Sequence, residues 1–181
     1  MRVVEVGEGV GMRGSCVRFG TGVGMAVVYE AEQFFDGYKR NRDDALQTLQ
    51  AAVDGGAVRL VLCDTNGGTL PRELGDIVSE VVAEFPETPV GIHAHNDSGV
   101  GDANSLMAVE RGATQVQGTF NGYGERCGNA NLCAVVPNLA LKMERDCLIP
   151  GALPRITHVS RLVSELANHA HNERQAYVGR S

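Results

Sequence analysis

The chain has 181 residues, 43% apolar and 21% charged, with a formal net charge of −6, which allows one domain with a real core. The acidic balance, without a basic run or an aromatic platform, argues against nucleic acid as the main partner, and no apolar run approaches the roughly 20 residues that span a bilayer. The start lacks a signal peptide's basic-then-apolar pattern, and Cys16, Cys63, Cys127, Cys133 and Cys147 are scattered without a Cys-x-x-Cys pair, so a reducing, cytoplasmic setting is expected.

Residues 1–24 read as a Gly-rich leader, because glycines at 7, 9, 11, 14, 20, 22 and 24 interrupt both helical and strand periodicity. Gly20-Thr21-Gly22-Val23-Gly24 lacks the spacing of a dinucleotide fingerprint, and no strand clearly precedes it. From residue 25 to 147 the pattern is regular. Met25 to Tyr29 predicts a strand. A helix capped by Asn41 or Asp43 follows, with Ala45, Leu46, Leu49, Ala52 and Val53 on one face, stopped by Gly55-Gly56. Val58 to Cys63 predicts the next strand. Thr69 is expected to cap and Pro71 to open a helix lined by Leu74, Ile77, Val78, Val81, Val82 and Phe85.

Val90-Gly91-Ile92 then leads as a buried strand into His93-Ala94-His95-Asn96-Asp97. Asp102 starts another helix, Ala113 to Phe120 forms a further strand, and a helix is expected from about Asn131 to Met143, bent at Pro137. Four strand–helix units of about thirty residues each imply parallel strands with right-handed crossovers. Residues 148–181 read as a linker, Pro150 to Pro154, and one amphipathic helix with His158, His169 and His171 on or near its surface.

On a strand, residues i and i+2 share a side, so His93 and His95 project together. They are either half of a metal site or two hydrogen-bonded core histidines. Asn129 follows a turn in which Gly122, Gly124 and Gly128 let the chain fold tightly over a bound group. Cys127, inside that turn, reads more simply as a small filler than as a nucleophile, because no histidine adjoins it. Glu32, Asp64, Thr65, His93, His95 and Thr119 all fall at the C-terminal ends of predicted strands, where TIM barrels and open α/β sheets alike build their sites.

His-x-His-Asn-Asp followed by Gly-x-Gly-Glu-Arg-x-Gly-Asn resembles the acyl-CoA-condensing metallolyases: 2-isopropylmalate, homocitrate and citramalate synthases. Phe34 to Lys39 and Leu62 to Pro71 resemble the citramalate synthase branch most. The resemblance runs from about Ala26 to Gly179. It implies a partial TIM (β/α)8 barrel, roughly strands five to eight with their helices, followed by the start of a helical subdomain. A complete barrel takes about 250 residues, so half is expected to be missing and the gene start to be truncated or altered.

The implied reaction is a Claisen condensation of acetyl-CoA with a 2-oxo acid, pyruvate above all, in branched-chain amino acid biosynthesis. The implied divalent metal, Mn²⁺, Mg²⁺ or Zn²⁺, would polarise the ketone, with His93, His95 and the carboxamide oxygen of Asn129 as ligands. Asp97 would orient a histidine rather than bind metal. Glu32 matches the family's catalytic glutamate. Glu30 shares its face by alternation and yields to it only on the motif. Thr65 and Thr119 match positions that hydrogen-bond the oxo-acid carboxylate. Glu125 matches a glutamate that helps organise the site, whereas Arg126 reads equally well as a structural ion-pairing residue.

The family's first-strand Arg and metal-binding Asp, and its later catalytic histidine, have no counterpart here, so a piece of a synthase with little activity alone is expected. The alternatives are a non-catalytic remnant, a piece of a 2-isopropylmalate synthase, and a metal-dependent hydrolase using the His-x-His pair. Unpaired first and last strands predict homo-oligomerisation or other association through the open edge.

Overall fold

The apolar runs that predict strands do pair with one another. A computed structural model describes residues 10–180, in which β1 (Val28–Ala31), β2 (Arg59–Asp64), β3 (Val90–Ala94) and β4 (Gln115–Gln117) lie side by side in chain order. All three pairings are parallel, with Glu30 beside Val61, Val61 beside Gly91 and Gly91 beside Gln115. Parallel neighbours need a crossover, and helices supply it: α2 (Phe34–Arg40) and α3 (Arg42–Asp54) follow β1, α4 (Pro71–Glu84) follows β2, α5 (Gly101–Glu110) follows β3 and α6 (Leu132–Leu141) follows β4.

The register sorts the side chains onto two faces. Tyr29, Leu60, Leu62, Val90 and Ile92 pack with Phe35, Leu49, Leu74, Val78 and Val81 of the helices in the main core. The opposite face carries buried Val28, Val61 and Cys63, with Glu30 level with Val61, and with His93 and Gln117 level with Cys63. The helix-side face is therefore apolar up to Asp64 at the end of β2, while the other mixes apolar with polar side chains.

Several boundaries differ from the sequence expectation. β1 begins at Val28 rather than Met25 and runs through Glu30. Of the expected leader, residues 1–9 lie outside the described residues, whereas Val10–Gly22 forms a helix, α1. Tertiary contact outweighs its poor propensity: Val17 is fully buried, and Thr21 Oγ1 donates to the Gly55 carbonyl 3.1 Å away. The helix α2 was not foreseen. Its Phe34 and Phe35 are buried, with Asp36 in the first turn and Lys39 and Arg40 in the last, the order that complements the helix dipole. Asn41 then caps α3 as expected, accepting from the Asp44 amide.

Thr69 does not cap α4. Leu70 holds that position without a side-chain bond, and Pro71 opens the helix. Thr69 is instead claimed by Asp64, only 1% exposed at the end of β2. Burial pushes the Asp64 carboxyl up, and the Thr69 hydroxyl and amide partly offset this by donating to it at 3.0 and 3.3 Å. Thr69 Oγ1 in turn accepts from Lys39, and its carbonyl from buried Asn104. A buried carboxylate needs its donors more than an exposed helix end needs a cap.

Beyond α6, a 3₁₀ turn (Leu153–Arg155) leads into α7 (Ile156–Leu166). This helix packs against the 3₁₀ turn Phe120–Gly122 through Asn121, which has a left-handed φ of 64°. The Asn121 amide donates to the Ser160 carbonyl and Ser164 Oγ, and its oxygen accepts from buried Ser160 and from Gln175. Tyr123 reaches Ser164 with its hydroxyl and stacks near His169. No helix among the described residues is long and apolar enough to cross a membrane.

Replacing Thr69 by valine keeps the shape and removes the hydroxyl. We expect a loss of about 1–3 kcal/mol in urea unfolding, the range for leaving a buried charged group one hydrogen bond short. An unchanged midpoint would mean that Asp64 does not depend on Thr69.

Candidate metal-binding site

Asn129 reaches the histidines because the glycine-rich segment folds back across the strand ends. The Ala130 amide donates to the Ala94 carbonyl, Asn96 to Gly128 and Thr119 to Ala130, so residues 128–131 run over the tops of β3 and β4 and bridge His95 and Thr119. Two glycines make this possible. A side chain at Gly124 would collide with the Asn129 carboxamide, and one at Gly128 with the Gly122 carbonyl, where Gly128 also has a φ of +87°.

His93 sits at the centre of a chain of polar groups. Buried Glu30 accepts from Gln117 Nε2 at 2.7 Å, which turns the Gln117 oxygen toward His93 Nδ1 at 2.9 Å. On the other side of the ring, Asn129 Nδ2 donates to the Tyr123 carbonyl at 3.1 Å and thereby presents Oδ1 to His93 Nε2 at 2.9 Å. Both amide orientations are thus fixed by their outer partners. A neutral His93 has one ring N–H for these two oxygens, so whichever nitrogen carries the proton, the other turns its lone pair toward an amide oxygen. A cation answers that shortfall: a second proton on the ring, or a metal ion held by Nε2 and Asn129 Oδ1 when the ring proton is on Nδ1. Ligands about 2.1 Å from an ion and roughly at right angles lie ~3 Å apart, so this pair fits a divalent cation.

His95 is differently placed. Its ring centroid is 5.2 Å from that of His93, with the planes tilted by 41°. Burial, then the neighbouring His93 and Arg126, hold it below the usual imidazole range. Arg126 Nη2 lies 2.7 Å from His95 Nδ1 and also reaches the Thr65 carbonyl at 2.7 Å. The expected contact of Asp97 with a histidine is not found. Asp97 takes Arg126 instead, at 2.7 Å to Nε and 3.0 Å to Nη2, and this bond holds the carboxyl below its usual range. Arg126 forms the ion pair expected of it.

Thr65 Oγ1 donates to Glu32 Oε2 at 2.8 Å and accepts from the Gln33 amide, so the loops after β1 and β2 bring Glu32 and Thr65 together at an exposed rim. Thr119 Oγ1 donates to the same Tyr123 carbonyl that orients Asn129, at 2.5 Å. Glu125 points outward with its side chain 81% exposed, 3.6 Å from Arg126 Nη1. Glu30, set second to Glu32 on the motif alone, is the carboxylate wired to His93, and Glu32 is not in that chain. Gln117 was not singled out, although Gln115 and Gln117 alternate with Val116 on the last strand. Amide side chains facing a sheet's polar side are a legible sign of a hydrogen-bond network.

Among the described residues, no group of three or more His, Cys, Asp and Glu side chains is gathered to hold a metal ion, and His158, His169 and His171 form no such cluster. The donor set that does converge is one imidazole and one carboxamide, with His95 adjoining but engaged by Arg126.

A family model described as HMGL-like matches residues 8–163. An (R)-citramalate synthase of Geobacter sulfurreducens is 57% identical over 155 residues, covering 86% of this chain and 29% of that protein. A 2-isopropylmalate synthase of Haemophilus influenzae is 36% identical over 174 residues, covering 87% of this chain and 33% of that protein. The chain spans about a third of the length of these curated relatives. A solved HMG-CoA lyase of Bacillus subtilis superposes with a TM-score of 0.77 at 18% identity, over 93% of this chain and 58% of that one. The four strand–helix units are a partial TIM barrel, and the chain belongs to the HMGL-like family.

Proposed function

We propose that this chain carries part of the active site of a citramalate synthase-type acyltransferase, which condenses acetyl-CoA with pyruvate and, as water cleaves the resulting thioester, releases free CoA. The observation that carries the reading is that both nitrogens of His93 face amide oxygens, Asn129 Oδ1 and Gln117 Oε1, each at 2.9 Å, so a neutral ring with one N–H leaves one pair open to a cation. Identity of 57% to a named citramalate synthase, against 36% to a 2-isopropylmalate synthase, supports the choice of branch.

His93 and Asn129 would hold a divalent cation, Mn²⁺, Mg²⁺ or Zn²⁺, with His95 as a third ligand once Arg126 leaves it. Bound there, such an ion supplies Lewis-acid polarisation of a ketone. With a cation bound, Gln117 and Glu30 would hold the proton of His93 on Nδ1 and leave Nε2 for coordination, the usual work of a histidine's outer partners. Glu32 would take a proton from the acetyl methyl group as general base. Thr65 holds its carboxylate at 2.8 Å and so fixes its direction. The Thr65 and Thr119 hydroxyls are the donors that an oxo-acid carboxylate would take over from Glu32 and the Tyr123 carbonyl. Glu125 would organise the loop through Arg126.

The reading includes strands beyond β1 and β4 that complete the barrel and its ligand set, supplied by more of the same polypeptide or by a second copy. Beside β4 lies a groove of mixed character, in which Val109, Val116, Val135 and Leu139 are joined by Glu110, Gln115, Arg145 and Asp146.

Three measurements test this. Titration calorimetry with Mn²⁺ should show binding that His93→Ala or Asn129→Ala abolishes, and an intact isotherm in either variant would end the metal reading. Gln117→Leu should weaken Mn²⁺ binding about 10–100-fold, the usual cost of losing an outer partner, while wild-type affinity would detach Gln117 from the site. Acetyl-CoA-dependent thiol release with Mn²⁺ and pyruvate should be measurable on the assembled enzyme. There Glu32→Gln should lower turnover about 10²–10⁴-fold with Mn²⁺ affinity unchanged. Loss of metal with the glutamate would assign Glu32 to binding instead, and release with no oxo-acid dependence would overturn the reaction.

A further inference from the structure

The least expected contact at the site is that of Arg126 with His95. A guanidinium has five N–H groups and no lone pair to offer, so it can only donate. His95 Nδ1, 2.7 Å from Nη2, is therefore the acceptor, and in a neutral ring the proton is on Nε2. This conflicts with metal binding by either nitrogen. Coordination through Nε2 moves the ring proton to Nδ1, where two N–H groups would point at each other. Coordination through Nδ1 needs the lone pair that Arg126 is using. Whichever nitrogen is the ligand, Nη2 must leave.

The surroundings let it leave without stranding the charge. Nη2 has two hydrogens and three acceptors within 3.0 Å: the Thr65 carbonyl, His95 Nδ1 and Asp97 Oδ2. Nε is held separately by Asp97 Oδ1 at 2.7 Å. When His95 is taken, the carbonyl and the carboxylate still satisfy both hydrogens, and Asp97 keeps neutralising the guanidinium beside an incoming cation. Arg126 itself has a left-handed φ of 53° on the glycine-rich turn, so the backbone that aims it also carries Asn129.

We infer that Arg126 is a displaceable placeholder at the metal site: it occupies His95 until a divalent cation takes that histidine, then stays on the loop through Asp97 and the Thr65 carbonyl. This rests on the metal reading above and adds a competitor to it. By competing for His95, the guanidinium lowers cation affinity.

The test is a double-mutant cycle read by Mn²⁺ calorimetry, using wild type, Arg126→Gln, His95→Ala and the double variant, with thermal melts to confirm folding. Arg126→Gln should bind Mn²⁺ about tenfold more tightly, as expected when a charge-assisted hydrogen bond no longer competes. The gain should disappear in the His95→Ala background. Equal or weaker binding by Arg126→Gln, or a gain that persists without His95, would overturn the inference while leaving the metal site standing. Absence of Mn²⁺ binding in both wild type and Arg126→Gln would instead bring down the metal reading, and the inference with it.

A second measurement needs no variant. Nitrogen NMR of ring-labelled histidine should show His95 Nδ1 unprotonated in the metal-free chain. Saturating Zn²⁺ should change the His95 signals and the Arg126 side-chain signal together. A protonated Nδ1 in the metal-free chain, or a His95 unmoved while His93 responds, would refute the exchange.

Discussion

Everything at the polar end of the sheet depends on the orientation of two side-chain amides. An amide offers a donor on one side and an acceptor on the other, so fixing one end fixes the other. Glu30 fixes Gln117 and the Tyr123 carbonyl fixes Asn129, and both then present oxygen to the same imidazole. The result is a local excess of acceptors over donors. In a half-buried place that excess is costly unless a positive charge answers it.

The scaffold is arranged to deliver these groups. Strand register sets Glu30, His93 and Gln117 on one face over three different strands, and the returning segment after the glycine turn adds Asn129 from above. Each group comes from a different loop or strand of a sheet whose other face is packed against helices. Site precision is therefore inherited from core packing, as it is when functional groups sit on rigid elements. Asp64 belongs to the same logic one layer out. It is buried on the helix side of β2, and its backbone carbonyl receives the His95 amide while its carboxylate gathers Thr69.

Much of this was legible in the sequence, and the parts that were not share a cause. The four strands, the helix stop at Gly55-Gly56, the cap at Asn41 and the closeness of Asn129 to the His-x-His strand follow from periodicity, turn chemistry and the motif. What was missed depends on partners distant in sequence. Thr69 looked like a cap because threonine is a favoured capping residue and lies two positions before the proline that opens the helix, and only the fold shows that Asp64 needs it. Asp97 looked like a histidine's partner because it lies two residues away, whereas Arg126, twenty-nine residues on, outcompetes the ring for it. Glu32 was placed above Glu30 on the motif alone. Both face the site, but only Glu30 reaches Gln117, because only it lies within the strand. Of helix α1 the sequence retains only a hint, at Ser15 to Phe19, because its stability is tertiary rather than local.

Asn121 couples distant segments in a way that bears on motion. Its amide and carbonyl oxygen join α7 and the segment at Gln175 to the turn that carries Tyr123, and the Tyr123 carbonyl sets the Asn129 carboxamide. Hydrogen-bonded units of this kind open as a group rather than residue by residue. The terminal helix and the glycine-rich turn therefore form one cooperative opening unit. When α7 detaches, the turn loses its anchor, and the backbone amides of both should exchange with solvent at a common rate, slower than the exposed ends and faster than the central strands.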